Sequence, residues 1–120
     1  MTFLGFLEDV PTFLNGIDLF VLPSLREGFS LATVQALASS LPVAATRSGG
    51  PEEIIEEGVS GVLVEPRSVT ALSEAICSMA RDPVRRATFA AAEQRRAIAA
   101  FSVEAMVRSY ERLYSAVVAR

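Results

Sequence analysis

Apolar residues fall first into short solid runs between turn formers, and then, past residue 68, into helical spacing. Residues 18–23 (D-L-F-V-L-P) form an apolar run stopped by proline, which predicts a buried strand. Residues 42–46 (P-V-A-A-T) and 61–64 (G-V-L-V) repeat the signal, and residues 2–5 read as the end of a fourth strand. Helix signals alternate with these runs. Asp9 is placed to cap a short helix with Pro11 in its first turn. Ser30 caps a predicted helix over 31–39, with Leu31, Val34, Leu37 and Ala38 on one face. Pro51, Glu52 and Glu53 occupy a helical first turn with two carboxylates at its positive end, and Gly58 is read as its stop. From Ser68 onward the pattern is helical. One helix carries Leu72, Ile76 and Met79, and a second starts at the Asp82-Pro83 cap. A third, from Ser102, places Val103, Met106, Val107, Tyr110, Leu113, Tyr114 and Val117 on one stripe.

This alternation predicts an α/β fold: a partial Rossmann-like parallel sheet of about four strands, flanking helices and a C-terminal helical run. The 120 residues suit one domain. The apolar share of 51% fits strands buried on both faces. Ligands of such sheets bind outside the carboxyl ends of the strands, here at residues 22–24, 46–50 and 64–66.

Charge and composition narrow the chemistry. There is no His, which removes His-based triads and most catalytic zinc sites. All 11 basic residues are Arg, so no Walker-type loop and no pyridoxal Schiff base can form on this chain. A net charge of −3 gives no general pull toward nucleic acid. Cys77, alone in an apolar helical pattern, reads as a buried, inert thiol, and a single Cys fits a reducing compartment. With no signal-peptide pattern or bilayer-length apolar run, the chain is expected in the cytoplasm, including the inner face of the membrane.

Two loops at the strand ends carry candidate chemistry. In E-G-F-S-L, residues 27–31, the N–H groups of Phe29, Ser30 and Leu31 stand at a helix start, an anion site built from backbone. Glu27 precedes it and can accept hydrogen bonds from sugar hydroxyls, although an ordinary strand–helix turn has the same pattern. Gln35, eight residues on, can bond a ribose diol or simply face solvent. In Ser48-Gly49-Gly50, glycines admit a close backbone approach, and the helix start at Pro51 offers a second anion site. Arg85, Arg86, Arg95 and Arg96 read as solvated helix faces.

Taken together, residues 26–66 resemble the family 4 (group 1) glycosyltransferases of the GT-B fold. The family pattern runs E-G-F-G-L, a Glu eight residues after the first, G-x-P-V-x-A-T-x-x-G-G-x-x-E, then G-x-x-G-x-L-V. The flanking strands and the Asp82-Pro83 and Phe101-Ser102 punctuation agree, so the resemblance covers essentially the whole chain. It implies the C-terminal donor-binding portion of an enzyme that transfers a sugar from a nucleoside diphosphate with retention of configuration and without a metal or other cofactor. By position, Glu27 matches the Glu that contacts the donor sugar and stabilises charge at its anomeric carbon. Gly28, Phe29, Ser30 and Leu31 match the loop that meets sugar hydroxyls and the distal phosphate. Gln35 matches the ribose-binding Glu, and Ser48, Gly49 and Gly50 match the glycine loop lining the donor cleft.

Three positions depart from the pattern. Gln35 lacks the charge of Glu, Ser30 replaces a Gly, and Ser40 stands where a Gly with positive φ is usual after the helix. The family also places an Arg and a Lys on an earlier strand–helix unit to neutralise the diphosphate, and this chain contains no Lys. The expectation is one wall of a cleft, with little transferase activity in the chain alone. An acceptor-binding domain or a partner chain would supply the other wall, and an unpaired sheet edge and a bare apolar helix would favour self-association. The rivals are a non-catalytic donor-binding subunit, an inactive truncated fragment and an unrelated α/β module. Receiver domains and GT-B phosphorylases both need a Lys.

Overall fold

The computed structural model describes residues 1–119. Its sheet has three parallel strands in the order β1 (Phe20–Leu22), β2 (Val43–Thr46), β3 (Gly61–Val64). Phe20 pairs with Val43, and Val43 in turn with Gly61, so the carboxyl ends of all three strands open on one edge of the domain. β2 is central and fully buried, as its unbroken apolar run requires.

Side chains alternate across this sheet and make two cores. Phe20, Leu22, Val43, Ala45 and Leu63 face α1 (Val10–Leu14), α2 (Leu31–Ala38) and α3 (Gly50–Ile54). Val21, Ala44 and Val62 face the other way, against Met79 of α4 (Val69–Arg81). The long α5 (Pro83–Phe101) serves both layers, with Phe89 in the second core and Ala97 in the first. α6 (Val103–Val118) follows the extended Ser102 and buries none of its residues, so the predicted apolar stripe lies exposed.

The caps follow the sequence signals. Asp9, Ser30, Ser68, Asp82 and Ser102 each accept a hydrogen bond from the backbone N–H three residues on. At the end of α2, Leu41 N–H bonds the Ala36 carbonyl and Ser40 N–H bonds that of Leu37. This double closure needs a left-handed residue, and Ser40 supplies it at φ 60°.

Three expectations are corrected. Residues 2–5 form no strand, because no neighbouring strand lies beside them; Phe3 and Leu4 are exposed. The third helix ends at Ile54 instead of running to Gly58. Ile55 is extended, and the buried Ser60 hydroxyl takes the Glu56 N–H, so a turn replaces the last helical residues. Cys77 is exposed, since Ala75 and Met79 hold the inward face of α4 and Cys77 lies between them on the opposite side.

Candidate functional site

The two glycine loops meet at the carboxyl ends of β1 and β2. Glu27 N–H donates to the Ser48 carbonyl at 2.8 Å, and Gly50 N–H donates to the Glu27 carbonyl at 3.1 Å. Glu27 and Gly49 therefore pair as a short parallel extension of the sheet. The approach is closed to any side chain. A Cβ on Gly50 would lie 1.6 Å from the Gly28 carbonyl oxygen, and one on Gly49, at φ 118°, 2.6 Å from that of Glu27.

Beside this seam lies a cleft of about 240 Å³ lined by Glu27, Gly28, Phe29, Gly49, Gly50 and Glu53. Glu27 is half-buried, and its carboxylate accepts a 2.8 Å hydrogen bond from the Ser24 hydroxyl. Thr46 in turn donates to the Ser24 carbonyl, so the end of β2 helps fix the loop that carries Glu27. Phe29 packs edge-on against Phe101 at 5.6 Å between ring centroids. The amides of Phe29, Ser30 and Leu31 have no acceptor among the described residues, as expected at the start of α2. The Ser30 hydroxyl is buried and turned inward, 2.9 Å from that of Thr33 and capping its amide.

Five of the nine sequence candidates thus line one cleft: Glu27, Gly28, Phe29, Gly49 and Gly50. The other four stand outside its lining. Ser30 is the helix cap, Ser48 lends its carbonyl to Glu27, and Leu31 and Gln35 are exposed on α2. The second anion site expected at Pro51 is closed. The Gly49 amide is taken by the Glu52 carboxylate at 2.9 Å and the Gly50 amide by Glu27, while Pro51 has no N–H. Ser24 and Glu53 escaped the sequence reading as site residues. The short spacing of Ser24 before Glu27 was a signal for the first, and the final Glu of the G-G-x-x-E pattern, at position 53, for the second.

The family model for glycosyl transferases group 1 matches residues 1–82, over half of the chain. The chain belongs to this family. It is similar to a sucrose synthase from Acidithiobacillus caldus, 50% identical over 60 residues, which covers 50% of this chain and 8% of that protein. It is also 31% identical over 114 residues to the MMP alpha-(1->4)-mannosyltransferase of Mycolicibacterium hassiacum, covering 94% of this chain and 28% of that protein. Among solved structures, Anabaena HepE in complex with UDP superposes with a TM-score of 0.90 at 31% identity. That match covers 96% of this chain and 32% of HepE. This group 1 glycosyltransferase chain therefore spans less than a third of the length of each, and its architecture is that of the C-terminal Rossmann-like half-domain of GT-B.

Within that framework the four Arg residues of α5 divide. Arg95 is exposed. Arg85 lies over the Phe89 ring at 5.2 Å, and Arg86 donates to the Met79 and Ala80 carbonyls at the end of α4. Arg96 is no solvated face. It pairs with buried Glu93 and donates to the carbonyl of Ile54. The helical pattern alone gave no sign of this, because the acceptor lies on a different element. No helix among the described residues is long and apolar enough to cross a membrane.

Proposed function

We propose that this chain is the donor-binding wall of a retaining glycosyltransferase, with the sugar diphosphate of a nucleotide sugar held in the cleft between residues 27–31 and 48–50. One observation carries the reading: two glycine-bearing strand-end loops are zipped together so tightly that backbone from both, with Glu27, Phe29 and Glu53, borders a single cleft beside them. Backbone amides at a helix start suit phosphate oxygens, and a carboxylate held by a neighbouring hydroxyl suits sugar hydroxyls and developing positive charge. The relatives add support, since HepE was solved with UDP and with UDP-glucose.

In this reading Glu27 contacts the donor sugar and stabilises charge at its anomeric carbon. The free amides of residues 29–31 meet the distal phosphate, and Gln35, one turn into α2, meets the ribose. The diphosphate is balanced by N–H donors, and no metal ion or other cofactor enters the scheme. The acceptor and the remaining diphosphate contacts belong to another domain or chain. The exposed α6 stripe and the unpaired edge of β1 support such a covering surface. The 120-residue chain alone is accordingly expected to bind donor weakly and to transfer little sugar.

The test is a titration of ¹⁵N-labelled chain with UDP, UDP-glucose and GDP. Saturable shifts at Gly28, Phe29 and Gly49 are expected, with UDP-glucose affinity reduced about tenfold in Glu27→Ala (~1.4 kcal/mol). Gln35→Glu is expected to tighten binding. Absence of binding by every nucleotide, or shifts confined to another face, would overturn the assignment.

A further inference from the structure

The carboxylate of Glu93 is 1% exposed, in the middle of a helix that packs on α2. A buried charge is costly unless it is paired and hydrogen-bonded, and an apolar residue of the same size often serves stability as well or better. The pair that Glu93 makes is directional. Arg96 Nε lies 2.9 Å and 3.0 Å from the two carboxylate oxygens, which leaves the rest of the guanidinium free to point at the Ile54 carbonyl.

Ile54 is the last residue of α3 and is itself fully buried. α3 has five residues, about 7 Å of helix at 1.5 Å per residue, so its two ends move together. Its other end is Gly50, whose N–H bonds the Glu27 carbonyl beside the cleft. A cation on the carbonyl end also suits the helix dipole. The same α5 reaches the opposite wall twice more. Gln94 Nε2 donates at 3.2 Å to the carbonyl of Ala38, the last residue of α2, and Phe101 backs Phe29. One helix thus grips the far ends of both helices that begin at the cleft.

We propose that Arg96, oriented by the buried Glu93, is a positioning residue for the cleft: by tying α3 to α5 it holds Gly49 and Gly50 against Glu27 and Gly28. The ligand side of this inference rests on the donor-site reading above. The geometric side does not, and the experiment separates them. The double variant Glu93→Met with Arg96→Met keeps volume and removes the tie. It is expected to melt at the wild-type temperature or higher, while amide hydrogen exchange at Gly50 accelerates at least tenfold and UDP affinity falls about tenfold. Arg96→Lys, which keeps a partner for Glu93 but cannot hold carboxylate and carbonyl in the same planar fork, is expected to show both effects in reduced form.

A folded double variant with wild-type Gly50 exchange and UDP affinity overturns the proposal. If the double variant does not fold, Arg96→Lys decides by the same two readouts, and wild-type values in both overturn it. If UDP fails to bind the wild-type chain, the donor reading falls, while Gly50 exchange still decides whether Arg96 holds the seam.

Discussion

Gly50 and Gly28 approach so closely that the missing Cβ of Gly50 coincides with space occupied by the Gly28 carbonyl oxygen. The obstacle is backbone, and the Gly50 N–H to Glu27 bond holds it there, so no rotamer change can relieve the clash. Gly50→Ala is expected to separate the two loops and to cost about 3 kcal/mol or more, since overpacking against a fixed backbone lies at the upper end of such effects. Urea unfolding measures the cost. A change below about 0.5 kcal/mol would mean that the seam opens freely.

The opposite sign is expected at Ser40. Its left-handed backbone, φ 60°, closes α2, and its side chain forms no hydrogen bond among the described residues. Ser40→Gly should relieve the strain and stabilise the chain by about 1 kcal/mol. A lowered urea midpoint would show that the Ser40 side chain contributes packing that outweighs the strain.

Met79 and Leu113 provide a contrast in burial. Met79 is 0% exposed between α4 and the sheet, whereas Leu113 on α6 is 56% exposed. Met79→Ala is expected to cost about 3 kcal/mol, and Leu113→Ala to stay within about 0.5 kcal/mol. Equal losses in the chain's thermal unfolding would mean that α6 is packed in solution against a surface it does not touch here.

The short α1 should respond to acid. Hydrogen bonds from the Thr12 side chain and backbone hold the Asp9 carboxyl below its ordinary value of 3.8. A depressed folded-state pKa means that the cap's contribution is fully present above the unfolded value and is lost as pH falls through the lowered one. The Thr12 amide should therefore keep its protection at pH 5 and lose it progressively below about pH 4, a change absent in Asp9→Asn. Followed by NMR, an identical acid profile in that variant would place the transition on another group.

Local chemistry made much of this protein legible in the sequence. Caps act over three residues and strand runs over four or five, so Ser30, Asp82 and Ser102, together with the runs of β1, β2 and β3, announced their elements without tertiary information. Gly49 and Gly50 after one apolar run and Gly28 after another likewise marked the loops at the strand ends. What those loops do to each other was not written locally. That Gly50 is obligatory depends on Gly28 arriving from a different strand, and that Arg96 is a tie depends on Ile54, 42 residues earlier. Residues 2–5 and Cys77 show the same limit: a strand exists only beside a partner, and a helical residue is buried only if its face meets a neighbour. The sequence determined the elements and the two backbone loops. The tertiary structure alone decided that they close into one cleft, because that closure is made of contacts between segments distant in the chain.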